Sequence, residues 1–141
     1  MENETIEVRK FTGEGYQPLV TFGEWRVAAL HHSEETQRNG ISRLDRHMAT
    51  DEVFILTQGK AVLVLGGNAA EIGEIQPVVM KRNDVYNVKK GTWHASLVSR
   101  DAHIIIVEND NTSKENTESA ALTDIRKHTI QTIAQAFWAD K

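Results

Sequence analysis

The sequence contains no cysteine. Disulfides, thiolate metal sites and cysteine nucleophiles are therefore excluded, and any metal ion would have to be held by nitrogen and oxygen atoms. A surplus of basic residues is also missing, because the formal net charge is -4. This balance disfavours a nucleic acid as the partner.

Long apolar runs are missing as well. No window approaches the ~18 apolar residues of a membrane-spanning helix. The N-terminal stretch MENETIEVRK is polar where a secretory signal would need an apolar run. We therefore expect a cytoplasmic protein without a membrane partner, and 141 residues suffice for one domain with a sizeable core.

Short apolar runs separated by turn residues dominate residues 1–108. The run from Ala61 to Leu65, for example, ends at the turn residues Gly66-Gly67-Asn68. The run from Val85 to Val88 lies between two further turns. Short strands at this density predict an all-β sandwich or barrel over residues 1–108.

The C-terminal part of the chain changes in character. Residues 109–121 are polar and are predicted to be a flexible connector. Residues 122–139 carry apolar residues at helical spacing, with Thr123 as a plausible N-cap. We expect this helix to pack its apolar stripe on the barrel or on a partner subunit.

Strand periodicity predicts which side chains face the interior. If the strand is regular, Arg43, Asp45 and His47 share one face, because side chains alternate between the two faces of a strand. The next apolar run has a phase that places Glu52 on the same side as Phe54. A histidine and a carboxylate could therefore meet inside the barrel.

Two motifs resemble those of the cupin family. His47, Glu52 and Gly59 resemble the first cupin motif, and the stretch from Asn83-Asp84 through Gly91 to His94 resembles the second. The resemblance covers residues 41–108 and implies a double-stranded β-helix, the jelly-roll barrel, followed here by a C-terminal helix.

The sequence also departs from the family pattern. Asp45 stands where the first motif normally has another histidine. Lys89 replaces a common proline, and Val98 replaces a common asparagine. The match nevertheless retains three ligands of the usual type.

The resemblance implies a metal site formed by His47, Glu52 and His94, with Asp45 as a fourth ligand. Imidazole and carboxylate together suit Mn, Fe, Ni or Zn, with positions left for water or substrate. The alternative is structural, with both histidines satisfied in the core and Glu52 a hydrogen-bonded buried acid.

Arg43 and Tyr86 are the candidate substrate-binding residues. An inward Arg43 would need a partner, which could be Asp45 or the carboxylate of a ligand. Arg43 could also lie in solvent at a frayed strand end. Tyr86 is a candidate for the pocket lining.

A narrower resemblance points to the ureidoglycolate lyase branch of cupins. It is carried by five segments, of which the fourth contains Gly-x-Trp-His: Arg46-His47, Glu52 to Ile55, Gly59 to Leu65, Tyr86 to Ala95 and Ile104 to Glu108. That branch implies release of urea from ureidoglycolate.

Three classes of function remain open. The first is a metal-dependent lyase, isomerase or dioxygenase acting on a small, polar, carboxylate-bearing metabolite. The second is a non-catalytic module that binds or senses a small molecule. The third is a structural dimer with a degenerate site; a homodimer is expected from the resemblance and from the apolar tail.

Overall fold

The computed structural model describes residues 5–34 and 40–139. Its architecture is two antiparallel five-stranded sheets and one C-terminal helix, which confirms the predicted all-β class. The strands are β1 (Gly15–Phe22), β2 (Trp25–His31), β3 (Arg43–His47), β4 (Glu52–Gln58), β5 (Ala61–Leu65), β6 (Gln76–Val79), β7 (Val85–Val88), β8 (His94–Val98), β9 (His103–Asn109) and β10 (Thr117–Ala121), and the helix is α1 (Asp124–Ala139).

The two sheets enclose the core in a jelly-roll arrangement. One sheet has the strand order β1-β2-β9-β4-β7, and the other has the order β10-β3-β8-β5-β6. Aliphatic side chains from both sheets fill the space between them. The fully buried members include Leu56 and Ile104, which are 1% and 0% exposed. Burial of this apolar surface is the main force that holds the sheets together.

The phase predicted for β4 is confirmed. Glu52, Phe54 and Leu56 are all buried, and the residues between them are only partly buried. The inward row therefore begins with a carboxylate at one end of the barrel and continues as apolar core. A charged group at the start of an otherwise apolar row needs polar partners close by.

The turn after β4 explains the glycine of the first motif. Gly59 has a φ of 78°, a conformation that side chains with a Cβ rarely adopt. A Cβ at this position would also lie 2.6 Å from Ala102 Cα. Both the backbone angle and the close packing require glycine.

The predicted flexible connector at residues 109–121 is instead partly ordered as a strand. A 3-10 turn at Lys114–Asn116 leads into β10, which pairs antiparallel with β3. In this register Thr117 lies opposite His47 and Ser119 opposite Asp45. The prediction was wrong here because an edge strand gains backbone hydrogen bonds from its neighbour and needs few apolar side chains of its own.

Helix α1 lies against the outer face of the second sheet. Thr123 accepts a hydrogen bond from the backbone N–H of Arg126 at 3.2 Å, as an N-cap does. Ile130 and Ala134 are 1% and 0% exposed and pack in one cluster with Leu44. Within the described residues, no helix has the length and apolar character needed to cross a membrane.

Candidate metal centre

Three potential metal ligands converge at one end of the barrel. His47 ends β3, Glu52 begins β4 and His94 begins β8. Glu52 Oε1 lies 3.1 Å from His47 Nε2 and 2.9 Å from His94 Nε2. One ligand atom from each residue lies within 4.8 Å of the others, so the three residues can bind a common ion.

The outer nitrogen of each histidine is held by a separate partner. His47 Nδ1 lies 2.9 Å from Thr117 Oγ1. His94 Nδ1 lies 2.9 Å from the carbonyl oxygen of Thr92. Metal-binding histidines commonly use one ring nitrogen for such a bond, which orients the other toward the ion. Both Nε2 atoms therefore have the direction that a ligand needs.

The charges of the cluster balance one another. Burial would raise the pKa of Glu52, but hydrogen bonds and positive charge from His47 and His94 outweigh it and lower the pKa to about 2. Burial would likewise lower the pKa of His94, but the bond to Glu52 and its negative charge raise it. Both His94 nitrogens lie within hydrogen-bond distance of acceptor oxygens, an arrangement that favours the protonated ring with its two donors. A divalent cation would take the place of the Nε2 proton.

Asp45, the expected fourth ligand, lies beside this cluster, and its role as a ligand stays a prediction. Asp45 Oδ1 accepts a hydrogen bond from Ser119 Oγ at 2.6 Å and lies 3.4 Å from Arg43 Nε. Within the described residues, the group whose ligand atoms come together comprises only the two histidines and Glu52. The physical reason is that the short Asp45 side chain is tied to the neighbouring strand β10.

The ligand cluster lines a cavity of about 230 Å³. Arg43 and Asp45 line the same cavity, which confirms that they share a face with His47. The Arg43 side chain is 58% exposed and therefore lies at the mouth. A second cavity of about 570 Å³ shares these residues and extends toward Glu108.

Tyr86 does not line either cavity. It lies opposite Phe54 in the β4–β7 pair, and its ring packs against the apolar core. Its hydroxyl oxygen accepts a hydrogen bond from the backbone N–H of Lys81 at 2.8 Å. The hydroxyl is therefore engaged by the turn before β7, and a role of Tyr86 in substrate binding stays a prediction.

Three polar residues next to the cluster were missed by the sequence-based prediction. Glu108 Oε2 accepts a hydrogen bond from Arg26 Nη2 at 2.9 Å and another from the Tyr16 hydroxyl. Glu108 is only 5% exposed. Burial and the negative charge of nearby Glu52 raise the pKa of Glu108. The available signal was the alternation of β9, in which Glu108 continues the buried phase of Ile104 and Ile106.

Comparisons with solved structures identify the fold of this chain. No family model matches the chain, and no curated protein matches it either. Among solved structures, a cupin-2 domain protein from Shewanella frigidimarina superposes with a TM-score of 0.52 and 17% identity, over 70% of this chain and 84% of that one. The chain has the cupin fold.

Two other solved structures superpose on this chain over a similar range. The nucleoside dehydratase Pac13 of Streptomyces has a TM-score of 0.53 and 10% identity, over 81% of this chain and 85% of that one. The capsular polysaccharide assembling protein CapF of Staphylococcus aureus has a TM-score of 0.57 and 17% identity, over 78% of this chain and 31% of that one. At these identities the likeness is one of fold.

Proposed function

We propose that this cupin is a metal-dependent enzyme acting on a small, polar, carboxylate-bearing molecule. The observation that carries the proposal is the convergence of His47 Nε2, His94 Nε2 and Glu52 on one point in the wall of a cavity. Two imidazoles and one carboxylate leave coordination positions for water or substrate. A ligand set without sulfur also argues against a purely structural zinc site.

The residues have separate roles in this proposal. His47, Glu52 and His94 would hold a divalent Mn, Fe, Ni or Zn ion, which when bound supplies a Lewis acid for a carbonyl or hydroxyl oxygen. Arg43 at the cavity mouth would bind the substrate carboxylate, since a guanidinium matches that group in shape and charge. Arg43 contacts Asp45 through Nε, which lies 3.4 Å from Asp45 Oδ1.

The reaction class stays a prediction among lyase, isomerase and dioxygenase. A ureidoglycolate lyase-like activity rests on the sequence resemblance alone. Trp93, which belongs to the Gly-x-Trp-His segment of that resemblance, donates its indole N–H to the carbonyl oxygen of Ala69 at 3.0 Å and is 3% exposed. Trp93 packs in the cluster on the side of helix α1, where it supports the fold, and it is not among the residues that line the cavity at the metal centre.

A non-catalytic binding or sensing cupin is the second candidate. It is favoured by one observation: His94 and Glu52 already compensate each other's charge without a metal ion. Among the described residues, no buried side-chain nitrogen or oxygen lacks a hydrogen-bond partner. A cytoplasmic location and a homodimer also remain predictions.

Metal analysis separates the two candidates. We expect near-stoichiometric Mn, Fe, Ni or Zn in protein purified from supplemented medium, measured by inductively coupled plasma mass spectrometry. His94→Ala should lose the metal, whereas His128→Ala, at an exposed position of α1, should retain it. Wild-type protein without stoichiometric metal would refute the enzyme proposal and favour the binding module.

Replacement of Glu52 gives a second discrimination. In the enzyme, Glu52→Ala should abolish both metal content and turnover, because the variant removes the carboxylate ligand of the cluster. In a binding module, the same variant should leave ligand affinity largely intact. Binding of a panel of small carboxylates, measured by calorimetry, would distinguish these outcomes.

A further inference from the structure

Glu108 is a buried carboxyl group that the ligand set leaves unexplained. Its side chain is 2% exposed, and it points into the larger cavity beside Glu52. Two acidic side chains that share a buried site repel each other when both are ionised. A pair of this kind is retained at a cost in stability, unless other groups compensate it.

One oxygen of Glu108, Oε2, accepts hydrogen bonds from both Arg26 and Tyr16. Arg26 donates to Oε2 from Nη2 at 2.9 Å and from Nε at 3.2 Å, and the Tyr16 hydroxyl donates to the same atom. Arg26 Nε lies 2.8 Å from the Tyr16 hydroxyl as well, so the three side chains form a closed triangle. This triangle, Tyr16–Arg26–Glu108, restricts the Glu108 carboxyl group to one orientation.

Arg26 also connects the triangle to the wall of the site. Its guanidinium donates to the carbonyl oxygens of Asp110 at 3.0 Å and Thr112 at 3.2 Å. The chain then runs through the 3-10 turn to Thr117, whose hydroxyl contacts His47 Nδ1. Arg26 is therefore linked to the surroundings of two ligand residues. It is linked to Glu52 through Glu108, and to His47 through the segment that ends at Thr117.

We propose that Glu108, held by Tyr16 and Arg26, is a positioning residue that orients the Glu52 carboxylate for metal binding. The inference rests on the proposed function, since it concerns the same metal centre. Carboxylates that bind metals are themselves hydrogen-bonded, and loss of such a partner typically weakens metal affinity about 10- to 100-fold. Glu108 is placed to be that partner, because its buried side chain lines the same cavity as Glu52.

A purely structural role for the triangle makes a different prediction. A buried ion pair that only supports the fold can be weakened with a change in stability and with no change at the metal. A positioning role changes the affinity and the coordination geometry of the bound ion. Metal binding, not stability, is therefore the decisive measurement.

The experiment titrates Co²⁺ into full-length, metal-depleted protein. Affinity is measured by calorimetry, and the visible absorption of bound Co²⁺ reports its coordination. Glu108→Ala should weaken binding about 10- to 100-fold and shift the absorption bands. Glu108→Gln should stay within about threefold of wild type, because the amide keeps the shape and can donate to Glu52.

A matched pair of tyrosine variants gives a second test. Neither variant removes Glu108, so the positive charge of Arg26 keeps its partner. Tyr16→Phe should weaken Co²⁺ binding several-fold, because it removes one donor to Glu108. Tyr86→Phe makes the same chemical change at the hydroxyl that holds Lys81, and should leave binding unchanged. If Glu108→Ala does not fold, this pair decides the question.

The outcomes are distinct. Affinities of Glu108→Ala and Tyr16→Phe within threefold of wild type would overturn the positioning role. Equal losses in Glu108→Ala and Glu108→Gln would overturn it too, since they would point to charge alone. Wild-type protein that does not bind Co²⁺ at all would refute the proposed function, and this inference with it.

Discussion

Replacement of Glu52 by glutamine in the metal-free protein should remove most of the pH dependence of folding stability in acid. The side chain is buried and accepts hydrogen bonds from both site histidines, with His94 Nε2 at 2.9 Å. The isosteric amide keeps the volume but has no negative charge. The variant therefore isolates the electrostatic part of the contact.

The size of the effect follows from the pKa of Glu52. A fall from 4.5 to about 2 corresponds to about 3 kcal/mol of folding stability. Because the folded-state pKa is depressed, this contribution is fully present above pH 4.5 and is lost as the pH falls toward 2. The pKa of His94 is raised above 6.5. The folding stability that protonated His94 contributes is therefore lost as the pH rises through this raised pKa.

The contact should therefore stabilise the metal-free protein most between about pH 4.5 and 6.5, the ordinary values of the two groups. Glu108 also faces Glu52, and burial together with the negative charge of Glu52 raises the pKa of Glu108. For this reason the comparison is made between wild type and Glu52→Gln at each pH, and not from the wild-type curve alone.

Urea unfolding in the presence of a chelator, followed by circular dichroism from pH 2.5 to 9, measures this dependence. Wild type should lose about 2 kcal/mol more than Glu52→Gln between pH 5 and 2.5, because the rest of the contribution is lost only as the pH falls below the folded-state pKa of about 2. Parallel curves for the two proteins across that interval would refute the account of the buried Glu52 charge.

Two further changes test other parts of the structure. Thr117→Val removes the hydroxyl that holds His47 Nδ1. The affinity for Co²⁺, measured by calorimetry, should fall about tenfold, while the free energy of unfolding should change little. An unchanged affinity would show that β10 does not orient this ligand. Gly59→Ala should lower the free energy of unfolding, measured in urea, by at least ~2 kcal/mol. The reason is that alanine would have to adopt a φ of 78° and place its Cβ 2.6 Å from Ala102 Cα. A smaller loss would mean that the turn can relax.

The comparison of His47 with Asp45 shows what periodicity could and could not predict. Alternation along β3 places both residues on the cavity side, as the structure confirms. Alternation does not predict how far a side chain reaches or which neighbour engages it. Asp45 is engaged by Ser119 of β10, a strand that the sequence pattern did not reveal.

Tyr86 illustrates the same limit from the other direction. The Tyr86 side chain faces inward because it lies opposite Phe54 in the β4–β7 pair. Whether an inward side chain packs in the core or lines the cavity depends on its position along the barrel axis, and Tyr86 packs against the core. That position depends on strand register, which is a relation between distant segments. No local pattern contains it.

Sequence alone was sufficient for the fold class and for the residues that approach a common metal position. Both depend on local features: turn chemistry and strand alternation define the sheets, and the spacing of His47, Glu52 and His94 resembles a known motif. Only the tertiary structure revealed the Tyr16–Arg26–Glu108 triangle and the role of Thr117. Their members come from β1, β2, β9 and β10, and pairing of strands far apart in the chain brings them together. The ordering of residues 117–121 has the same cause, since β3 supplies the hydrogen-bond partners that this polar segment lacks by itself.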